Sequence, residues 1–373
     1  MSTGPSPRVV FVPYWGAANP YQDALAEHLS ACGVAVEKVR TLKSLFRYGI
    51  FLHGAPDIVH LHWLPEFGWR QLRAFRYLVF VLRLLMLRVR GIPLVWTIHN
   101  LLPHESRHRK MDWLLTRIVA GLSSGLIVHG ESAQRQVVEI WRLRDQSRFA
   151  VIPHGNYTSN YPNDVSCTAA RKKLGLDDSE MVFLFLGAVR PYKGVLELVD
   201  AFRTLAADHV SLVIAGKPLN DNFAREIERA AAGLDRVRFH PVFVQDAEVQ
   251  VYMNAADVVV LPYRHILSSG AALLAMSFGK PCIAPAIGCL GDVLDASGAF
   301  LYDPECETGL VKSMRRAVEA KHTLGRMGAH NHDKVLQWTW EKAAEATKTL
   351  YERCLPSVNC ACHNIGLVRD EKS

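Results

Sequence analysis

The sequence predicts an α/β protein of two doubly wound, Rossmann-like domains facing a central cleft. Three observations carry that expectation. Short β-branched apolar runs alternate with stretches of helical periodicity, as crossovers and a parallel sheet require. The alternation starts afresh in the second half of the chain. Between the halves, residues 156–170 form a run rich in Asn, Ser, Pro and Tyr that reads as a linker. The length of 373 residues agrees, at about 100–200 residues per domain.

The elements follow in order. In the first half, residues 9–13 (VVFVP) form a buried strand, 21–32 a helix, 34–37 a second strand, 57–63 a third, 94–99 a fourth and 125–129 a fifth, with long helical stretches between the later ones. In the second half, 182–187 is a strand ending in glycine, 194–206 an amphipathic helix, 210–216 a strand and 223–232 a helix. A short strand at 237–240, a helix at 247–255, a strand at 256–262, a helix at 271–278 and a strand at 281–285 complete it. The expected units are an N-terminal domain over 1–160, a C-terminal domain over 161–345, and a helix end with a mobile tail over 346–373. Ligands of such sheets bind beyond the C-terminal ends of the strands.

Composition narrows the function. Hydrophobic residues make up 49% of the chain, enough for sizeable cores. The net charge of +7 is uneven: residues 1–150 hold 19 Lys and Arg against 10 Asp and Glu, the remainder 24 against 26. The whole basic excess lies in the first half, which is expected to meet something anionic. The eight cysteines are scattered without framework spacing and read as reduced thiols of a cytoplasmic protein. Cys360, Cys362 and His363 look like a metal fragment, but no second ligand pair sits nearby, and no metal is expected. Residues 1–7 carry no basic segment followed by an apolar run, so no signal peptide is expected. The most apolar window, 77–90, is too short for a membrane span and is interrupted by Arg83.

The clearest chemical signal is FLGAVRPYKG at 185–194. A strand ends at Gly187, Arg190 and Lys193 follow three residues apart, and a helix begins. Glycine admits a ligand close to the backbone, and the two cations suit phosphate oxygens. The bland alternative is a solvated basic turn. Next come Tyr263, Ser269, Gly270 and Ala271, where small residues open a helix whose free N–H groups and dipole favour an anion. Ser268 or Ser269 as an ordinary N-cap explains that spacing equally well. Gly216 and Lys217, with Phe243 and Val244, are expected on the nucleoside side, and Asp292 near the sugar. There is no Walker loop, GxGxxG fingerprint or catalytic triad.

The first half places polar residues at successive strand ends: His60, His62, Trp63 and Glu66, then His99, Asn100, His104 and Glu105, then His129 and Glu131. A lone histidine is usually structural, but several at neighbouring strand ends converge on one cleft, where a carboxylate or a neutral imidazole can act as a general base. Trp15, His154 and Asn156 are expected at the mouth of the same cleft.

Five segments in order resemble the GT-B glycosyltransferases, and most closely the inverting β-mannosyltransferases of xanthan-type exopolysaccharide assembly, glycosyltransferase family 94: DIVHLHW (57–63), TIHNLLPHE (97–105), IPHGNY (152–157), FLGAVRPYKG (185–194), and VVLPYR (259–264) with Ser269, Gly270 and LLAMSFGKP (273–281). The more distant retaining enzymes of family 4 carry two glutamates around the helix that begins here near Ala271. The matching positions, Leu267 and Leu274, are apolar, which favours inversion. The resemblance implies an acceptor-binding N-terminal domain and a nucleotide-sugar-binding C-terminal one. It also implies GDP-mannose as donor and a lipid-linked glycan acceptor. Glu105, His104 and His99 are the candidate bases, with Glu66 and His62 behind them. The donor diphosphate would be held by Arg190 and Lys193 with no metal or other cofactor. A UDP-sugar donor, or a non-catalytic sugar- or nucleotide-binding protein, are the alternatives.

The basic excess then acquires a partner. Arg70, Arg73, Arg76, Arg83, Arg88 and Arg90, followed by Arg107, Arg109 and Lys110, interleave with aromatic and aliphatic residues over 69–117. This suits an anionic membrane surface and peripheral association with its inner face. Nucleic acid is the rival anion, but no recognition helix or RNA-binding motif is present. A core helix with snorkelling arginines explains the apolar residues but not the charge asymmetry.

Overall fold

The computed structural model describes residues 6–16, 20–46, 54–65, 73–101 and 109–356. The first half forms a six-stranded parallel sheet from β1 (Arg8–Val12), β2 (Ala35–Lys38), β3 (Ile58–Leu61), β4 (Leu94–Thr97), β5 (Gly125–Val128) and β6 (Phe149–Val151), in the order β2-β1-β3-β4-β5-β6. The second half builds another from β7 (Met181–Leu186), β8 (Val210–Ala215), β9 (Val237–His240), β10 (Val258–Val260), β11 (Cys282–Pro285) and β12 (Ala299–Tyr302), in the order β12-β11-β10-β7-β8-β9. Their helices are α1 (Tyr21–Ala31), α2 (Leu42–Ser44), α3 (Arg73–Val89), α4 (Arg109–Leu122), α5 (Glu131–Trp141), α6 (Cys167–Leu174), α7 (Val195–Leu205), α8 (Asp221–Ala231), α9 (Asp246–Ala255), α10 (Gly270–Ser277), α11 (Leu290–Val293), α12 (Gly309–Glu319), α13 (Leu324–Val335) and α14 (Trp340–Cys354).

The central strands are apolar on both faces because helices cover both. β7 and β8 are buried at every position, as are β3, β4 and β5. Two strands went unforeseen, the edge strands β6 and β12. Each is three or four residues long, which leaves too little period to read.

Strand order reverses once in each sheet, between β1 and β3 and between β7 and β10. The crevices beyond the C-terminal ends of those strand pairs are where open α/β sheets bind ligands. Trp15, His62 and Trp63 follow β1 and β3. Gly187, Arg190 and Lys193 follow β7, and Tyr263 to Ala271 follow β10.

The two halves are interleaved at their margins. Helix α14, the last described, returns to pack on α1, β5 and β6 of the first sheet. Its Tyr351 hydroxyl lies 2.6 Å from His60 Nδ1, and Lys348 Nζ donates to the Cys32 carbonyl at 2.9 Å. In the other direction, Leu267 and Cys289 of the second half are buried in the core of the first.

Helix α3 packs Tyr77, Phe80, Leu84 and Leu87 inward, yet its other face is also apolar: Phe75, Leu78, Leu82, Leu85 and Val89 are between 39 and 88% exposed. Among the described residues no helix is long and apolar enough to cross a membrane.

Candidate active site

The cationic turn after β7 is built by glycines. Gly216 has φ +151°, and a Cβ there would stand 1.8 Å from the Gly187 carbonyl oxygen, so only glycine lets β7 and β8 end this close together. A Cβ on Gly187 would lie 3.4 Å from Lys193 Nζ. Arg190 Nη1 donates to the carbonyls of Val189 (3.0 Å) and Lys217 (3.1 Å), which orients its guanidinium over the turn, while the Lys217 side chain is exposed. Lys193 Nζ sits 5.6 Å from the ring centroid of buried Tyr263. Burial first, and the neighbouring Arg190 charge second, pull the Lys193 ammonium down to about 8. No carboxylate among the described residues pairs with it. A half-buried ammonium beside a second cation, with no carboxylate opposite it among the described residues, favours a bound anion.

Opposite this turn, α10 begins. Ser269 caps it, its Oγ accepting from Ala272 N at 3.2 Å, so the ordinary capping role is real. The N–H groups of Gly270 and Ala271 belong to the first turn and have no intrahelical acceptor, so the positive end of the helix stays available. From 264 to 277 there is no carboxylate.

On the facing domain, the strand-end histidines converge around Tyr21. Ring centroids lie 4.9 Å from Tyr21 for His99, 5.5 Å for His129 and 4.8 Å for His154. His62 stacks on His60 at 4.3 Å, and Trp63 stacks on His99 at 4.4 Å. His60 is a structural member, held by Tyr351 and by Thr97 Oγ1 at 2.7 Å. His129 Nδ1 donates to the Ile152 carbonyl at 3.0 Å, which leaves its Nε2 as the lone pair. That Nε2, His99 Nε2 and both nitrogens of His62 are buried without partners. Burial drives all these imidazoles toward the neutral form. His60 falls to about 3, His129 to about 4, and His62 and His99 lie well below the usual range.

A cavity of about 1180 Å³ opens between the domains. Asn100 and Leu101 line it with Lys110, Trp113 and Leu114 of α4 and Gln136 and Ile140 of α5 on one side. Tyr192, Arg264, His265, Ile287 and Gly288 line the other. Arg264 is paired with Glu197, and Arg109 adds a further cation to the wall. Apolar walls with cations at the rim suit an amphiphilic anion.

Several expected site residues have other roles. Asn156 ties its segment to the turn after α13: its N–H donates to Trp338 O at 2.8 Å, its Nδ2 to the Val335 and Trp338 carbonyls, and its Oδ1 accepts from Thr158. Asp292, expected near the sugar, bonds Ser132 across the cleft instead. Trp15 is 63% exposed beyond β1. His154 is half-buried, with Nδ1 2.6 Å from the Gly155 carbonyl. Glu66, His104 and Glu105 lie outside the described residues, as do Arg70, Arg107 and the Cys360-to-His363 fragment.

Two stacked nucleotide-type domains with a cationic turn at the C-terminal switch point define a class, and the family matches agree with it. Residues 30–159 match the family described as Glycosyltransferase Family 4, and residues 180–320 the family described as Glycosyl transferases group 1. The chain belongs to the GT-B glycosyltransferases and is a hexosyltransferase. Among curated relatives, it is 29% identical over 278 residues to a GDP-mannose:glycolipid 4-beta-D-mannosyltransferase of Xanthomonas campestris pv. campestris, covering 71% of this chain and 72% of that protein. It is 28% identical over 324 residues to a D-inositol 3-phosphate glycosyltransferase of Geodermatophilus obscurus, covering 80% and 66%. Among solved structures, sucrose-phosphate synthase of Thermosynechococcus elongatus superposes with a TM-score of 0.75 at 19% identity, covering 93% of this chain and 98% of that one. Anabaena Alr3699/HepE in complex with UDP and glucose gives 0.70 at 17%, covering 92% and 99%. These likenesses establish the fold.

Proposed function

We propose that the protein transfers mannose from GDP-mannose to a lipid-linked oligosaccharide or exopolysaccharide precursor, with inversion and without a metal ion. The single observation that carries a diphosphate-sugar donor is Lys193: a half-buried ammonium beside Arg190, with no carboxylate partner among the described residues, at the β7/β10 switch point. The choice of mannose and of a glycolipid acceptor rests on the Xanthomonas relative, which acts on that pair by its name.

Inverting transfer is one displacement. A base takes the proton of the acceptor hydroxyl, the oxygen attacks the anomeric carbon, and the nucleoside diphosphate departs from the opposite face. Arg190, Lys193 and the start of α10 stabilise the charge that develops on the leaving oxygens. Apolar Leu267 and Leu274 on the donor side favour this route over a retaining one. His99 is neutral, but burial lowers its basicity, which suits an orienting role against Trp63 better than proton removal. Glu105 or His104 is then the base. Glu105→Gln or His104→Ala is expected to cut turnover by about 10²-fold or more; near-normal turnover in both variants would defeat the assignment.

A donor screen that measures nucleoside diphosphate release tests the reading. Release is expected with GDP-mannose, undiminished by a chelator. Release only with a UDP-sugar would move the chain to that donor class.

The acceptor enters from an anionic membrane face through the interdomain cavity. Helix α3 supports this surface: its exposed stripe of Phe75, Leu78, Leu82, Leu85 and Val89 is flanked by Arg76, Arg83, Arg88 and Arg90, and residues 73–90 hold no carboxylate. A second copy of the same stripe would bring like charges together, whereas an anionic interface complements them. Sedimentation with anionic vesicles is expected at low salt, and Leu82→Asp is expected to weaken it severalfold. No sedimentation of the unsubstituted protein would refute the surface.

A further inference from the structure

We infer that Asp292 is a positioning residue that clasps the two domains shut by capping a helix of the opposite domain. Helix α5 has Gly130 at its N-cap, which offers no side chain to the helix N-terminus. The missing cap arrives from α11. Asp292 Oδ2 accepts from Ser132 N at 2.9 Å, and its Oδ1 accepts from Ser132 Oγ at 2.6 Å. Ser132 Oγ in turn accepts from Arg135 Nη2 at 2.8 Å. The next free amide, that of Ala133, faces the thiol of Cys289, which is itself buried in the first domain's core. A Cβ on Gly130 would stand 2.5 Å from Asp292 Oδ2 and 3.0 Å from Cys289 Sγ, so the glycine is what admits the opposing segment.

The orphan amide of Ser132 therefore finds its acceptor only while the domains are closed, and opening exposes it, with the Ala133 amide beside it, to water. The clasp sits at the edge of the interdomain cavity, whose wall includes Ser132, Gly288 and Gly291. It fixes the 286–291 segment against α5. Its functional consequence rests on that cavity being the transfer site; its structural consequence does not.

Hydrogen exchange and steady-state kinetics test it together. Asp292→Ala is expected to speed exchange at Ser132 and Ala133 about tenfold or more, to raise the radius of gyration, and to raise KM severalfold with a smaller change in kcat. Asp292→Asn keeps an acceptor and is expected to retain most of the protection. Asp292 is exposed, so neither variant removes core packing. Exchange in Asp292→Ala within twofold of the unsubstituted protein would overturn the clasp. Faster exchange with an unchanged KM would leave the clasp standing and place the transfer site elsewhere.

Discussion

Replacing Lys193 with methionine is expected to lower kcat by about 10²–10³-fold while the protein stays folded. The ammonium lies beside Tyr263 and Gly187 and close to Arg190, partly withdrawn from solvent, so its electrostatic effect on a departing diphosphate is stronger than at an open surface. Methionine keeps the packing and removes the charge. Lys193→Arg is not a conservative change here, because it replaces a compact point charge with a planar, forked guanidinium. The free-enzyme value of about 8 adds a pH signature. Below 8 the lysine is charged and ready; above it the proton is lost, so kcat/KM is expected to fall. A bound diphosphate favours the charged form and moves the limb seen in kcat to higher pH. Lys172→Met, at an exposed site, is the control. Turnover of Lys193→Met within fivefold of that control would end the role.

The second large effect concerns acid. His60, His62, His99 and His129 are sealed in the first domain and held neutral by burial, with folded values at about 3 to 4 where a value is defined. In the unfolded chain they titrate near 6.5. Below that pH the unfolded state takes up protons that the folded state refuses. Stability is therefore fully present above about 6.5 and is lost as pH falls toward the folded values. Each imidazole contributes roughly 1 kcal/mol of loss per pH unit, so four together cost several kcal/mol by pH 5.5, against a typical total of about 5–15 kcal/mol. The expected result is a melting temperature lower by about 10 °C or more at pH 5.5 than at pH 7.5. His62→Leu removes two unpartnered nitrogens and is expected to flatten that slope by one proton. A melting temperature flat across this interval would show that the cluster admits protons in the folded state.

Much of this site follows from local pattern. The apolar runs before Gly187 and after Ala256 had to be strands, so the placement of Arg190, Lys193 and the capped start of α10 at the strand ends of a doubly wound sheet was legible from spacing alone. The convergence of His62, His99 and His129 was legible for the same reason. What escaped were partners set by distant chain. His60 resembles its neighbours in sequence but is claimed by Tyr351 of α14. Asn156 sits in a motif at the cleft, yet its amide serves the carbonyls of Val335 and Trp338. Asp292 follows a glycine near the sugar side, and only the approach of α5 makes it a helix cap. No periodicity encodes such pairings, because each depends on how one folded unit meets the other.

The return of α14 also has a temporal side. His60 and Tyr351 lie 291 residues apart, and Lys348 reaches back to Cys32 across 316. During synthesis the N-terminal sheet emerges long before the helix that covers its α1, β5 and β6 faces. Until residues 340–354 have been made, that surface and the His60 imidazole have no native cover, and a chain stalled after β12 would present an apolar face to chaperones or proteases. The domain translated first is thus completed only once α14 has been made, which ties the survival of a nascent copy to translation reaching that helix.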